Sequence, residues 1–514
     1  MEVTIMEARN FITAREMLTD GNWLLTTMNG EPRYQKPPLP TWLSAISASI
    51  FGMHSVFAMR LPAVLFAIII AVYVFKLAKK LDGNKTFGVL AAAIVTSSFY
   101  VLGIMIEAPW DIFTHAFMLV AIYYLFVFFQ SEKRNWQAAI IAGICIGFSI
   151  LSKGPVSFYA LLLPFLLAYA LIYSFKGFTP KIVPFLTLLL IGFTIGGWWY
   201  LYVRLEDPNT FLAIAEKETS NWSSYNVRPF YYYWSFFTQS GLWTMPAFIS
   251  LLYPYLKTRV TNLKAYQFSL LWTLLAVVLL SLIPEKKSRY LMPVLIPLAI
   301  NCSFYIAFLI REFKHLKHKG ETIPVYVNFG LIGLIGLVFP ALAYLFLKEN
   351  LQGYWAYYVV ASVVVFTMGL IILHALTQRN IGRAVQASVG LYAALLLTAL
   401  PLKPALNSDS FHPITTNFNG LLPLYQLQYM APEMIWEYGN KIPELISENE
   451  TFKPPAEERF GLLVSEEQLA QVQQLKTSYT IKKQDSFNLN TVLKTSRQYK
   501  TRLVAHYFVL TKKD

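Results

Sequence analysis

The chain has 514 residues, 55% of them apolar and only 14% charged, with a formal net charge of +14. That composition excludes an ordinary soluble domain. It also makes basic loops on one membrane face, not a nucleic-acid surface, the source of the charge. Both cysteines, Cys145 and Cys302, fall inside apolar runs, so no disulfide framework is implied.

In chain order, residues 1–55 read as short amphipathic pieces suited to a membrane surface. Within "ARNFITAREML", Phe11, Met17 and Leu18 share one side of a helix, "TDGNW" ends it, and "KPPLPTW" is expected to be extended. Hydropathy then gives about twelve runs long enough to span a bilayer, from roughly 56–79 to roughly 383–401. From residue 402 the chain turns polar, with "RFGLLV" and "RLVAHYFVLTKK" patterned as strands and "SEEQLAQVQQL" as a helix. The expected fold is an all-α polytopic membrane protein with a small C-terminal α/β domain. Its segments are 1–55 (first outer loop), 56–401 (membrane domain) and 402–514 (outer domain).

Alternate loops are strongly basic, among them Lys76, Lys79, Lys80 and Lys85, then Lys133 and Arg134, Lys176 and Lys181, Lys257, Arg259 and Lys264, and Arg311 to Lys319. The positive-inside rule assigns them to the cytoplasm and places 1–55 and the tail from 402 outside. Residues 1–55 then need a span or signal ahead of them, and "MEVTIMEARNF" is neither, so a first span upstream is expected. Cations on the outer side run against this topology: Arg33, Lys36, Lys153, Arg204, Lys217, Arg228, Lys286, Lys287, Arg289 and Lys348. Snorkelling to headgroups accounts for Arg204 or Lys348, whereas three cations in "KKSR" point to an anionic ligand.

The stretches "MEARNFITAREMLTDGNWLLTTMNGEPRYQKPPLPTWLSAI", "LSKGP", "WWYLYV", "RPFYYYW" and "KKSRYLMPVLIP" occur in order over most of residues 1–310. Together they resemble the protein-O-mannosyltransferase-like membrane glycosyltransferases (families 39 and 83), which include the bacterial enzymes that put aminoarabinose on lipid A. The resemblance implies a GT-C fold with about thirteen spans. It implies a polyprenyl-phosphate sugar donor, transfer with inversion at the outer face of the inner membrane, and a lipid A-like lipid, glycan or protein as acceptor. Membrane lipids are the other partners, and nucleic acid is not expected.

Breaking a bond between a sugar and a lipid phosphate loads negative charge on that phosphate, which fixed cations stabilise. The candidate phosphate-binding residues are Lys36, Arg33, Arg9, Lys153, Lys286, Lys287, Arg289 and Tyr290. Lys36 matches the family's donor-binding lysine, and the prolines of "KPPLP" restrict its backbone. An acceptor hydroxyl needs a carboxylate. Asp111 matches the family's second acid, though a helix N-terminal acid is the structural alternative. Glu7 stands beside Met6, where relatives have an aspartate, and is the candidate replacement; a phosphate acceptor would need no strong base. Glu107 reads as structural. Asp111 and His115 have metal-compatible spacing, yet two ligands do not make a site. Gln35 stands where the aminoarabinose branch has an acid, which weakens both a divalent metal and assignment to that branch. The competing class is a transporter or flippase of lipid-linked sugars; border charges and the lack of repeated halves favour the enzyme.

Overall fold

The structure, a computed structural model, describes residues 3–107, 109–175, 177–408, 410–414, 422–446 and 453–513. Lys176 of the basic loops lies outside the described residues, as does the side chain of Glu107. Two compact units divide the chain: residues 1–33, 41–59 and 403–514 form one, and residues 34–40 with 60–402 form the other.

The first unit joins the N-terminal segment to the tail. Its helix Ile5–Asp20 opens on a capping box between Thr4 and Glu7 and closes at Gly21, whose φ of 77° suits glycine. Ten residues of this helix, from Glu7 to Met17, are buried all round it. Phe11 meets the ring of Trp436 edge-on, and the Arg15 guanidinium donates to the carbonyls of Ile435 and Asn440. The helix is therefore a core element, not the amphipathic surface piece expected. The Asn29-Gly30 pair, with φ of 59° and 84°, turns a hairpin between β1 (Thr27–Met28) and β2 (Glu31–Pro32). The Glu16 carboxylate holds that turn, accepting from the Thr27 hydroxyl and the Asn29 and Gly30 amides.

The tail adds a four-stranded sheet of β3 (Leu424–Gln426), β4 (Arg459–Ser465), β5 (Tyr479–Asn488) and β6 (Val504–Lys512), in spatial order β3-β4-β6-β5. Only the β3–β4 pairing is parallel. Alternation along β4 sends Phe460, Leu462 and Val464 to one apolar cluster and Leu463 to another, so both faces are covered. The expected helix "SEEQLAQVQQL" is instead a broken series of short turns around Leu469–Val472.

In the second unit the hydropathy count of about twelve spans needs correction. Among the described residues nine helices are long and apolar enough to cross a membrane. Three expected runs are interrupted. Helix Lys85–Thr96 stops where the Ser97 and Ser98 hydroxyls bond back to Ala93 and Ile94, and Phe99–Glu107 starts anew. The run near 154–174 contains Gly154 (φ 70°) and a π-turn at Phe158–Leu162 before helix Leu163–Ile172. That near 232–256 is kinked at Gly241 (φ 62°), inside the turn Phe236–Trp243, and goes on only as the short helices Thr244–Ser250 and Tyr253–Leu256. Hydropathy counts apolar residues and is blind to breaks that serine, glycine and proline impose.

Small residues set one of the close helix contacts. Helix Trp136–Lys153 carries Gly143 and Gly147, and helix Ile182–Glu206 carries Gly192 and Gly196, a GxxxG pair on each side. A Cβ on Gly196 would lie 2.5 Å from Cβ of Ile150, and one on Gly147 would lie 2.6 Å from Cβ of Ile195. The backbones approach as closely as glycine allows, which is how helices gain dispersion contacts in lipid. Gly196→Ala is expected to lower the thermal midpoint in detergent by several degrees, at an overpacking cost of about 1–3 kcal/mol. Gly197→Ala, facing open space, serves as control, and equal midpoints for the two variants would contradict this contact.

Candidate active site

Asp111 enters from the first turn of helix Pro109–Gln130, and Lys153 ends helix Trp136–Lys153. Their side chains, 2% and 8% exposed, form an ion pair. A hydroxyl ladder one turn deeper fixes the two helices: Thr114 Oγ1 donates to the Ser149 carbonyl, Ser149 Oγ donates to the Thr114 carbonyl, each at 2.8 Å, and Ser149 also meets the Ser157 hydroxyl at 2.6 Å. Gly154 follows Lys153 in a left-handed conformation, with the Tyr200 hydroxyl 3.0 Å from where a Cβ would stand. The lysine is thereby held at the helix end.

The segment 284–291 closes another side. Its backbone is pinned by bonds from Arg228 N to the Pro284 carbonyl and from Lys286 N to the Asn226 carbonyl. A turn at Ser288–Leu291 then presents Arg289 and Tyr290. Arg289 lies within electrostatic reach of both Asp111 and Lys153, and its buried Nε makes no hydrogen bond among the described residues. The Tyr290 ring lies 5.2 Å from the Lys153 ammonium, a cation–π distance.

Lys36 comes from the proline-rich turn and also acts electrostatically on Lys153. The helix Leu39–Phe51 starts inside "KPPLPTW", with Pro40 in the first turn where proline is tolerated, so only the beginning of that stretch is extended. Two contacts tie this turn to helix Pro208–Ser224: the Lys36 ammonium meets Glu218 at 3.3 Å, and the Tyr34 hydroxyl donates to Asp207 at 3.1 Å. Burial, joined by the Asp207 carboxylate, pushes the Tyr34 phenol up to about 12.

Asp111, Lys153, Arg289, Tyr290 and Lys36 thus gather in one unit. Lys286 does not join them as a free cation, because its buried ammonium donates to the carbonyls of Arg228 and Ile283. Lys287 is paired with Glu285 and lies over the Tyr225 ring. Arg33, Arg9 and Glu7 belong to the other unit. There Arg33 donates to the Arg9 carbonyl at 2.7 Å and the Thr13 hydroxyl at 2.8 Å. Burial, with Arg9 as a like charge nearby, pushes the Arg33 guanidinium down to about 9. The Glu7 carboxylate accepts from the Thr4 amide at 2.9 Å, a helix-capping duty.

Sequence reasoning overlooked three residues of this site. Glu285 accepts from the Tyr290 hydroxyl, Glu218 opposes Lys36, and Tyr159, on the π-turn, lies within electrostatic reach of Asp111 and Glu285. A search for outward cations passes over their counter-ions, and a π-turn has no simple sequence sign. His115 is buried one turn from Asp111, with Nδ1 unbonded among the described residues. No group of three His, Cys, Asp or Glu with metal-site geometry occurs among the described residues.

This geometry can be set beside known proteins. The family profile of dolichyl-phosphate-mannose-protein mannosyltransferases matches residues 35–199. An uncharacterized protein of Aquifex aeolicus is 28% identical over 59% of this chain and 60% of its own length. An undecaprenyl phosphate-alpha-4-amino-4-deoxy-L-arabinose arabinosyl transferase of Proteus mirabilis is 27% identical over 65% of this chain and 60% of its own. The crystal structure of ArnT from Cupriavidus metallidurans bound to undecaprenyl phosphate superposes with a TM-score of 0.67 at 15% identity, covering 99% of this chain and 94% of that one. The chain has the GT-C fold of that structure. With nine helices long and apolar enough to span among the described residues, it is a multi-span membrane protein, and the profile match takes in Lys36, Asp111 and Lys153 together. The chain spans about 60% of the length of the curated relatives it matches.

The Asp111–Lys153 pair makes a prediction independent of any activity. Lys153→Ala leaves a buried carboxylate without its partner, which costs about 3–5 kcal/mol. Replacing both residues by apolar ones of similar size removes that penalty. In detergent, K153A is therefore expected to unfold at a lower temperature than a D111L/K153M double variant. A double variant no more stable than the single one would argue against the buried pair.

Proposed function

We propose that the chain transfers a monosaccharide from a polyprenyl phosphate to an acceptor on the extracytoplasmic side of the inner membrane. The observation carrying this reading is the gathering of Lys153, Arg289 and Tyr290 around one buried carboxylate, Asp111, with Lys36 close enough to act on Lys153. Such a grouping is costly inside a membrane protein unless charge appears there during a reaction. The basic loops at the other end of the spans support the outer face for this site. The relatives named for undecaprenyl phosphate-linked aminoarabinose support a polyprenyl phosphate carrier.

In the transfer, the bond between the anomeric carbon and the phosphate oxygen breaks, and its electron pair leaves with the phosphate. Arg289 and Lys36 stabilise that charge, the guanidinium by paired donors and the ammonium as a point charge. The acceptor oxygen bonds to the opposite face of the same carbon, giving inversion. Asp111 orients a hydroxyl acceptor and takes its proton, while an acceptor that is already a phosphate anion needs orientation alone. Lys153 serves as a positioning residue, fixing the carboxylate where the acceptor meets the sugar. Glu218 neutralises Lys36 in the empty site, and the incoming phosphate competes with it for the same ammonium.

Lys36→Ala is expected to reduce transfer from an undecaprenyl-phosphate sugar at least a hundredfold while leaving insertion and thermal midpoint unchanged; activity near wild type would remove Lys36 from the site. Asp111→Asn should likewise cost at least a hundredfold, against less than threefold for Glu107→Gln. Comparable losses in those two variants would mean that the acid is misassigned. Glu218→Gln should tighten undecaprenyl phosphate binding severalfold in a lipid-binding titration, and weaker binding would contradict its role as a competitor.

A further inference from the structure

Helix Pro109–Gln130 carries Asp111 at one end and, nineteen residues on, Gln130 at the other, about 28 Å away at 1.5 Å per residue. A cavity of about 200 Å³ opens at this far end. It is lined by Lys80, Leu81, Phe126, Gln130, Tyr173, Asn262 and Lys264. Four spanning or partly spanning helices meet there: Val56–Asp82 and Pro109–Gln130 finish, Leu163–Ile172 finishes just before Tyr173, and Leu263–Leu282 begins.

The lining has the chemistry of an anion site. The Lys264 ammonium lies 4.8 Å from the centre of the Tyr173 ring. Neither Lys80 nor Lys264 has an ion-pair partner among the described residues, and neither does the Tyr173 hydroxyl have a hydrogen bond there. The nearby acid, Asp82, accepts from the Thr261 hydroxyl at 2.9 Å. Asn262 is spent on structure, donating to the Leu81 carbonyl and capping the helix through Ala265 N, which places Lys264 at a helix N-terminus. The Gln130 amide uses one N–H on the Tyr169 hydroxyl and has another to offer. Two ammonium groups, a phenol and an amide thus surround a space large enough for one phosphodiester. Phe126 forms an apolar wall beside them.

We propose that this pocket binds the headgroup of an anionic phospholipid in the leaflet opposite the candidate active site. A free phosphate offers the same charge. The position at the ends of membrane-spanning helices favours a headgroup, since a lipid places its phosphate at that depth and extends its chains along the apolar helix surfaces. The site is separate from the sugar-transfer residues and does not depend on their assignment.

The test uses the full-length protein, delipidated in detergent and titrated by native mass spectrometry with phosphatidylglycerol and with phosphatidylcholine. Wild type should bind phosphatidylglycerol at least fivefold more tightly. A K80Q/K264Q variant should lose that preference, while K133Q/R383Q, altering other basic loops, should keep it. Equal affinity for the two lipids in wild type, an unchanged preference in K80Q/K264Q, or an equal loss in K133Q/R383Q would overturn the proposal. Displacement of phosphatidylglycerol by an equal concentration of inorganic phosphate would overturn the lipid assignment.

Discussion

A carboxylate two residues inside a membrane-spanning helix has to be compensated, and the structure compensates Asp111 with Lys153. The cost of leaving either charge alone in an apolar interior is several kcal/mol. Much of the surrounding architecture follows from that constraint. The GxxxG contact fixes the helix that delivers Lys153, the Thr114–Ser149–Ser157 ladder locks it to the helix that delivers Asp111, and Gly154 ends it at the required point. Arg289 then adds positive charge beside an already neutralised pair, while the charge of Lys36 is met by Glu218. A half-buried guanidinium with no ion-pair partner among the described residues is a standing attraction for an anion.

The same logic separates residues that look alike in sequence. Lys286, Lys287 and Arg289 stand within four positions, yet their surroundings divide them. Lys286 is committed to backbone carbonyls, Lys287 is neutralised by Glu285, and Arg289 reaches the Asp111–Lys153 pair. Only the last keeps donor capacity directed to the site. A charge count along the chain cannot make that distinction, because it depends on which carbonyl or carboxylate the backbone brings near.

The membrane fold was legible because spanning helices must be long and apolar, and that demand leaves a plain mark in composition. Its interruptions were harder to read, since Ser97, Gly154 and Gly241 change the backbone without lowering hydropathy much. Some missed features did carry signs. Thr4-x-x-Glu7 is a capping-box pattern, Asn29-Gly30 a hairpin turn, and Gly143/Gly147 with Gly192/Gly196 a helix-packing motif. Of the site itself, Lys36, Asp111, Lys153 and Arg289 stood out as charges where charge is expensive. Tyr159, Glu218 and Glu285 did not, because their relation to the site is purely spatial.

The central claim is that these cations hold the phosphate of a polyprenyl carrier. Electron cryomicroscopy of the full-length protein with undecaprenyl phosphate addresses it most directly. The account predicts phosphate density within hydrogen-bond distance of the Lys36 ammonium and the Arg289 guanidinium, with Glu218 displaced from Lys36. Density for the phosphate elsewhere, with Lys36 still paired to Glu218 and Arg289 untouched, would contradict it.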